Sequence, residues 1–355
     1  MMSNQVTRKS FVYDAPEDLA NTLAAARSGD SDAFSSLTEP HRFELMTHCY
    51  RMLGSLEDAE DQVQETFLRA WRRLETYEGR ASFRTWLYKI ATNACLDALE
   101  HRPKRILPLE SATPVDPSDP QPPQINEPVW IEPFPEEWLA PASSNPEARY
   151  DAYESISLAF LVALQVLPPR QRAALILRDV LNWSMAEIAD NLGTTVSSVT
   201  SLMHRARVTM EQRNNTRRQD TIRMGIPDDQ TRELLKRYVR AWESADIEAI
   251  ISLLAEDATF PMPPSPFWIQ GKPAIHTLIR GTILSGEAQD RWRLIDIRAN
   301  GQSGFAFYRI AEVARTYHPF ALQILTIQNG LVSEAITFGF PSLFRYFNLP
   351  SVLRI

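Results

Sequence analysis

Apolar residues recur at Val63, Phe67, Trp71 and Leu74, a spacing of three to four that predicts a helix with one buried stripe. Its opposite face carries Asp58, Asp61, Glu65, Arg69, Arg72 and Arg73. A second helix is predicted after Gly79, where Phe83, Trp86, Leu87, Ile90 and Ala91 line one face and Ser82 stands at the N-cap position. That stripe continues through Ala94, Cys95 and Ala98. Helical patterning returns over 149–213. A last block, 228–345, opens with helically spaced Leu234, Tyr238, Trp242, Ile247, Ile250 and Leu254, and a shorter helix is predicted near 272–283. β-type runs follow at 292–299, 305–314, 320–328 and 331–338, with Asn300-Gly301 and Asn329-Gly330 as turn signals. Helices followed by an antiparallel meander predict an α+β fold for this block.

Between 103 and 148 proline recurs from Pro103 to Pro146, which opposes both helix and central strand. The segment is expected to act as an extended, semi-stiff spacer rich in acids. Trp130, Phe134 and Trp138 are unusual for a free linker, because large apolar side chains need a surface to dock on. The chain thus divides into 17–102, 103–148, 149–213 and 228–345.

A length of 355 residues implies two or three domains. No apolar run is long enough to span a bilayer, and residues 1–14 hold no secretory signal, so a cytoplasmic protein is expected. Cys49 and Cys95 lie in apolar helical patterns and read as reduced core thiols; no Cys/His cluster has metal spacing, and no cofactor is indicated. The net charge of −7 argues against tight unaided DNA binding, but not against a reader delivered to DNA by a larger partner.

From Trp183 the chain reads WSMAEIADNLGTTVSSVTSLMHRAR. Ile188 and Leu192 are apolar on one helix, Ala189 is small where a second helix crosses, and Gly193 permits a left-handed turn. Val199 and Leu202 anchor the helix that follows. This is helix-turn-helix spacing. The second helix presents Ser197, Ser198, Thr200, Ser201, His204 and Arg205, with Arg207 beyond, residue types that hydrogen-bond phosphates and base edges. A plain helical hairpin with a polar face fits the same spacing.

Taken together, three motifs resemble the extracytoplasmic-function (ECF) sigma factors of the sigma-70 family over about 17–213. DAEDQVQETFLRAW is similar to region 2.2, which grips the β′ clamp of core RNA polymerase. ASFRTWLYKIATNACLDAL is similar to regions 2.3 and 2.4, which open the −10 promoter element. LPPRQRAALILRDVLNWSMAEIADNLG and the helix after it are similar to region 4, which reads the −35 element. The resemblance implies an all-α region 2, an all-α helix-turn-helix region 4, and as partners the β′ clamp, the β flap and promoter DNA. It implies a polymerase-binding face of Asp61, Gln64 and Glu65, supported by Arg69 and Arg72. It places Asn93 where a side-chain amide reads a flipped base, with Asp97 one turn on and Arg84 and Lys89 holding the displaced strand. Trp86 reads better as core than as a stacking platform. Thr200 and Leu202 stand where the family often has Lys and Arg, which thins direct readout.

The last block resembles the SnoaL-like, nuclear transport factor 2-like cone fold through Ala241-Trp242, Ala245-Asp246, Leu253-Leu254, Glu256-Asp257, Met262-Pro263-Pro264, Trp268, Gly271 and Ala274-Ile275. The resemblance implies an apolar pocket, with Trp242, Met262, Trp268, Phe307 and Phe338 as candidate walls and an unknown small ligand as a possible occupant. Some relatives of that fold are isomerases or cyclases with an acid–base pair. Asp257, Asp296, His276 and His318 are present here, but no spacing brings two of them together. A module that regulates the promoter-reading blocks is the expectation, with an active enzyme as the alternative.

Overall fold

The computed structural model describes residues 16–100, 104–111, 113–119, 123, 130–139, 153–216, 228–286, 288–311 and 315–354. The first block is α1 (Pro16–Arg27), α2 (Ser31–Thr38), α3 (Arg42–Leu53), α4 (Leu56–Arg72) and α5 (Phe83–Leu99). Ser55 caps α4 by accepting from the backbone N–H of Asp58, and Ser82 caps α5 by accepting from that of Thr85. Gly54, at φ +75°, ends α3 in the left-handed region, which lets the chain turn directly into α4. The α4 stripe is narrower than its spacing predicts. Val63 and Leu74 are buried, but Phe67 is half-buried and Trp71 stays 37% exposed, leaning on Phe34 with ring centroids 4.9 Å apart.

The Pro-rich segment is not a free spacer where it is described. Pro108–Ser111 forms one helical turn, α6, with proline at its first position, where no N–H is needed. Ile106 bridges to Trp130, and both Trp130 and Phe134 are buried. The other block of helices is α7 (Leu158–Gln165), α8 (Pro169–Leu175, continuing as a wider turn to Val180), α9 (Met185–Asn191) and α10 (Val196–Thr216). Ser184 and Glu187 form a reciprocal capping box at α9, and Gly193 sits at φ +58° in the turn before α10. Val199, Met203 and Ala206 bury the inner face of α10; Leu202, expected as an anchor, is only half-buried.

The last block packs α11 (Asp229–Glu243), α12 (Ile247–Ser252) and α13 (Lys272–Leu278) on one sheet. Its strands are β1 (Leu254–Pro261), β2 (Trp268–Gln270), β3 (Trp292–Ala299), β4 (Gln302–Ala311), β5 (Thr316–Gln328), β6 (Leu331–Phe338) and β7 (Leu353–Arg354). The order is β2-β1-β6-β5-β4-β3, with β7 on β5. The meander β3–β6 is antiparallel as predicted, although 312–314 lie outside the described residues. β1 corrects the reading: Leu254 continues the helical spacing, yet 254–261 pair in parallel with β6, so the sheet is mixed. Sheet pairing overrides a local period that would equally suit a helix.

Both faces of this sheet are covered. Trp292, Phe305, Phe307 and Leu325 face α11–α13, while Ile297, Ala306, Tyr308 and Ile324 face the other way. That second face belongs to one continuous core with α3, α5, the linker and α7–α10. It is covered by the C-terminal tail, where Phe344 packs edge-on against Tyr308, and by the linker turn at Glu136–Trp138.

Candidate polymerase and nucleic-acid interface

On α4, Asp61 and Gln64 are exposed, Glu65 is half-buried and Arg72 is exposed. Leu68, 51% exposed, shares this outer stripe. Arg69 does more than support the face: its guanidinium donates to Glu65 Oε1 and to Asp97 Oδ2, each at 2.7 Å, and so ties α4 to α5. On α5, Asn93 and Asp97 are exposed. Arg84 is engaged by Glu44 at 2.7 Å and lies over the Tyr88 ring. Trp86 packs between Tyr77 and Phe83, which makes it a half-buried core residue. Ser197, Ser198, Thr200, Ser201, His204, Arg205 and Arg207 are all exposed on α10, with Arg207 paired to Asp179 at 2.9 Å.

The two helical blocks touch through the same face. Lys89 Nζ lies 2.9 Å from Asp190 Oδ2 on α9, and Tyr88 meets Trp183 edge-on at 5.8 Å between centroids. Behind them, Arg51 donates to the Ser155 hydroxyl and carbonyl, and Arg172 donates to the Met52 carbonyl and to Gln165. Burial pulls both guanidinium groups down to about 10. His48, beside them, is driven down to about 3 by burial and then by the charges of Arg51 and Arg84, so its ring is neutral; Nε2 meets Thr92 Oγ1 at 3.0 Å.

The linker and the last block close over this junction. Glu132 accepts the Leu56 N–H at 2.7 Å through its carboxylate and the Tyr50 hydroxyl at 2.6 Å through its carbonyl. Burial pushes its carboxyl up, against the pull of Arg105. Asn300, in the β3–β4 turn, is fully buried. It donates to Tyr50 Oη at 3.2 Å and to the Ile156 carbonyl at 2.6 Å, and accepts the Phe134 N–H at 2.8 Å. Three segments distant in sequence therefore meet on one amide. Asn300 was singled out by sequence only as a turn residue; Asp190 was not singled out at all.

Of the candidate pocket walls, Trp242 and Phe307 meet edge-on at 5.2 Å, and Met262 packs against the same core. Trp268 is half-buried, and its carbonyl accepts from Val115 of the linker. Phe338 is a correction: it pairs with Leu322 on the opposite face of the sheet and belongs to the core shared with the helical blocks. Phe338 lies three residues from Ala335 along β6, an odd spacing that puts the two on opposite faces, and it is Ala335 that reaches the interior. Asp257, Asp296 and His318 are exposed, and the half-buried His276 pairs with Glu248 at 3.1 Å, so none of the four faces that interior.

Family models match Sigma-70 region 2 over residues 37–105, Sigma-70 region 4 over 157–210 and a SnoaL-like domain over 235–335. The chain is 44% identical over 354 residues, covering 99% of its own length and 92% of the relative, to the ECF RNA polymerase sigma factor SigG of Mycobacterium tuberculosis. The chain belongs to the ECF sigma factor family. It is also 31% identical over 229 residues to sigma factor SigJ of the same species, covering 62% of each chain. The crystal structure of SigJ aligns with a TM-score of 0.53 at 24% identity over 90% of this chain and 100% of that one, which shows a shared fold. The main function of this ECF sigma factor is therefore that of an RNA polymerase sigma factor and not of an enzyme. No helix among its described residues is long and apolar enough to cross a membrane.

Proposed function

We propose that this sigma factor acts in the cytoplasm and that the arrangement described is its closed state, with the fused SnoaL-like domain as the brace. The polymerase-binding face is Asp61, Gln64, Glu65, Arg69 and Arg72. The −10 reader is Arg84, Lys89, Asn93 and Asp97, and the −35 reader is the outer face of α10 from Ser197 to Arg207. The observation that carries the proposal is the Lys89–Asp190 contact, which puts the helix-turn-helix one side chain from the −10 helix. Promoter elements about 25 base pairs apart are separated by roughly 85 Å of duplex at about 3.4 Å per step. Two readers in direct contact do not engage both at once, so initiation requires them to part. A signal or partner then acts by binding the open arrangement better than the closed one.

The test is a Lys89→Cys/Asp190→Cys chain joined by a short bismaleimide. The same variant left unjoined is the reference, because Lys89 belongs to the proposed −10 reader. Run-off transcription with core polymerase is expected from the unjoined chain and abolished in the joined one. Equal transcription from both overturns the closed-state reading.

A further inference from the structure

The C-terminal tail reaches the helix assigned to polymerase binding. Pro341–Phe347 forms a 3₁₀ turn whose Leu343, Phe344 and Phe347 are buried, and it ends at Asn348, which donates to Glu137 of the linker at 2.8 Å. From this anchored turn two side chains reach α4. Tyr346 Oη donates to Glu60 Oε2 at 3.0 Å, and Arg345 Nη2 lies 3.4 Å from the same oxygen. The guanidinium also stacks over the Tyr346 ring at 4.6 Å and feels the charge of Glu57.

Glu57 and Glu60 border the outer stripe of α4. Glu57, Asp61, Gln64 and Leu68 follow one another at helical spacing and are all exposed, and Glu60 is half-buried beside them. Arg345 and Tyr346 thus place a cation and a hydroxyl donor on the edge of an acidic face. A basic partner surface would supply the same chemistry there.

We infer that Glu57 and Glu60 are part of the polymerase-binding surface, and that Arg345 and Tyr346 occupy its edge as an internal competitor that core polymerase displaces. The inference rests on the proposed reading of α4. It also gives polymerase arrival a route to the brace. Tyr346 packs edge-on against Trp138 at 5.8 Å, and Trp138 packs in turn on Phe134 and on Phe43 of α3. Lifting the tail from Glu60 removes one wall of the slot that holds the linker.

The test titrates core polymerase against the labelled full chain. Arg345→Ala with Tyr346→Phe keeps the buried ring and removes the polar contacts to Glu60 together with the guanidinium stacked on that ring; Arg345 is 58% exposed, so the fold tolerates its loss. This variant is expected to bind core polymerase about two- to fivefold more tightly, the range for loss of an exposed ion pair and its hydrogen bond. Adding Glu60→Gln to it is expected to weaken binding again. Unchanged or weaker binding by Arg345→Ala/Tyr346→Phe overturns the competitor role, and unchanged binding on adding Glu60→Gln overturns the assignment of Glu60. Asp61→Lys/Glu65→Lys separates the levels: if that charge reversal leaves binding intact, the reading of α4 itself fails.

Discussion

Tyr50 and Asn300, 250 residues apart in the chain, share a buried hydrogen bond of 3.2 Å that joins the first helical block to the β3–β4 turn of the last. The same amide holds Phe134 of the linker and Ile156 at the entry to the helix-turn-helix block. Asn300→Gly keeps the left-handed turn, where the backbone has φ +54°, and deletes only the side chain. Leaving these buried groups unsatisfied is expected to cost about 1–3 kcal/mol of interdomain stability. Limited proteolysis of the 103–148 segment reads it: cleavage faster than in the parent chain is expected, with both helical blocks still folded.

Asp190→Ala frees Lys89 from its partner. The pair is 41% and 77% exposed, so the shift towards the open arrangement is small, about 1 kcal/mol or less. Binding of a −10 single strand is expected to tighten by up to about fivefold. Addition of salt is expected to narrow the gap between variant and parent as the pair is screened.

Asn93 is exposed on α5 and offers both a donor and an acceptor to a base edge. Asn93→Ala is expected to lose about 1–3 kcal/mol at one −10 position and to relax preference there. Competition binding with promoters substituted at each −10 base measures it. Discrimination that stays complete at every position makes Asn93 structural only.

His48 sets an acid dependence. Its folded-state value, about 3, lies below the ordinary 6.5, so the unfolded chain binds the extra proton. Its contribution to stability is full above about pH 6.5 and falls as pH drops towards 3. Glu132 works in the opposite sense, because burial raises its value and the folded chain takes up the proton more readily. Urea midpoints of the parent and of His48→Gln at pH 7 and pH 5 isolate the histidine. The parent is expected to lose more stability than the variant over that interval.

The local patterns carried the helices and their caps. Ser55, Ser82 and Ser184 begin helices because a hydroxyl facing the first free N–H groups is a short-range arrangement. The Gly193 turn, the meander strands and the Asn300-Gly301 hairpin were accessible for the same reason. Exposed polar positions on α4, α5 and α10, such as Asp61, Asn93 and Ser197, were accessible too, since they follow from a helical period.

What sequence alone determined about this protein is therefore its modules: periodicity, caps and turn chemistry act within a few residues of each other. What only the tertiary structure decided is how those modules close on one another. Phe305, Ala306, Phe307 and Tyr308 are all buried because the sheet is covered on two sides, and no period along β4 says what lies on the second. Thr47, His48 and Arg51 are polar, yet α3 is buried from Leu45 to Leu53 because α4, α5, the linker and the helix-turn-helix block surround it. The Pro-rich segment reads as a spacer by composition and is held at Trp130, Glu132 and Phe134 by partners up to 166 residues away. Such contacts depend on which surfaces meet after folding, and a side chain's own neighbours in the chain hold no record of that.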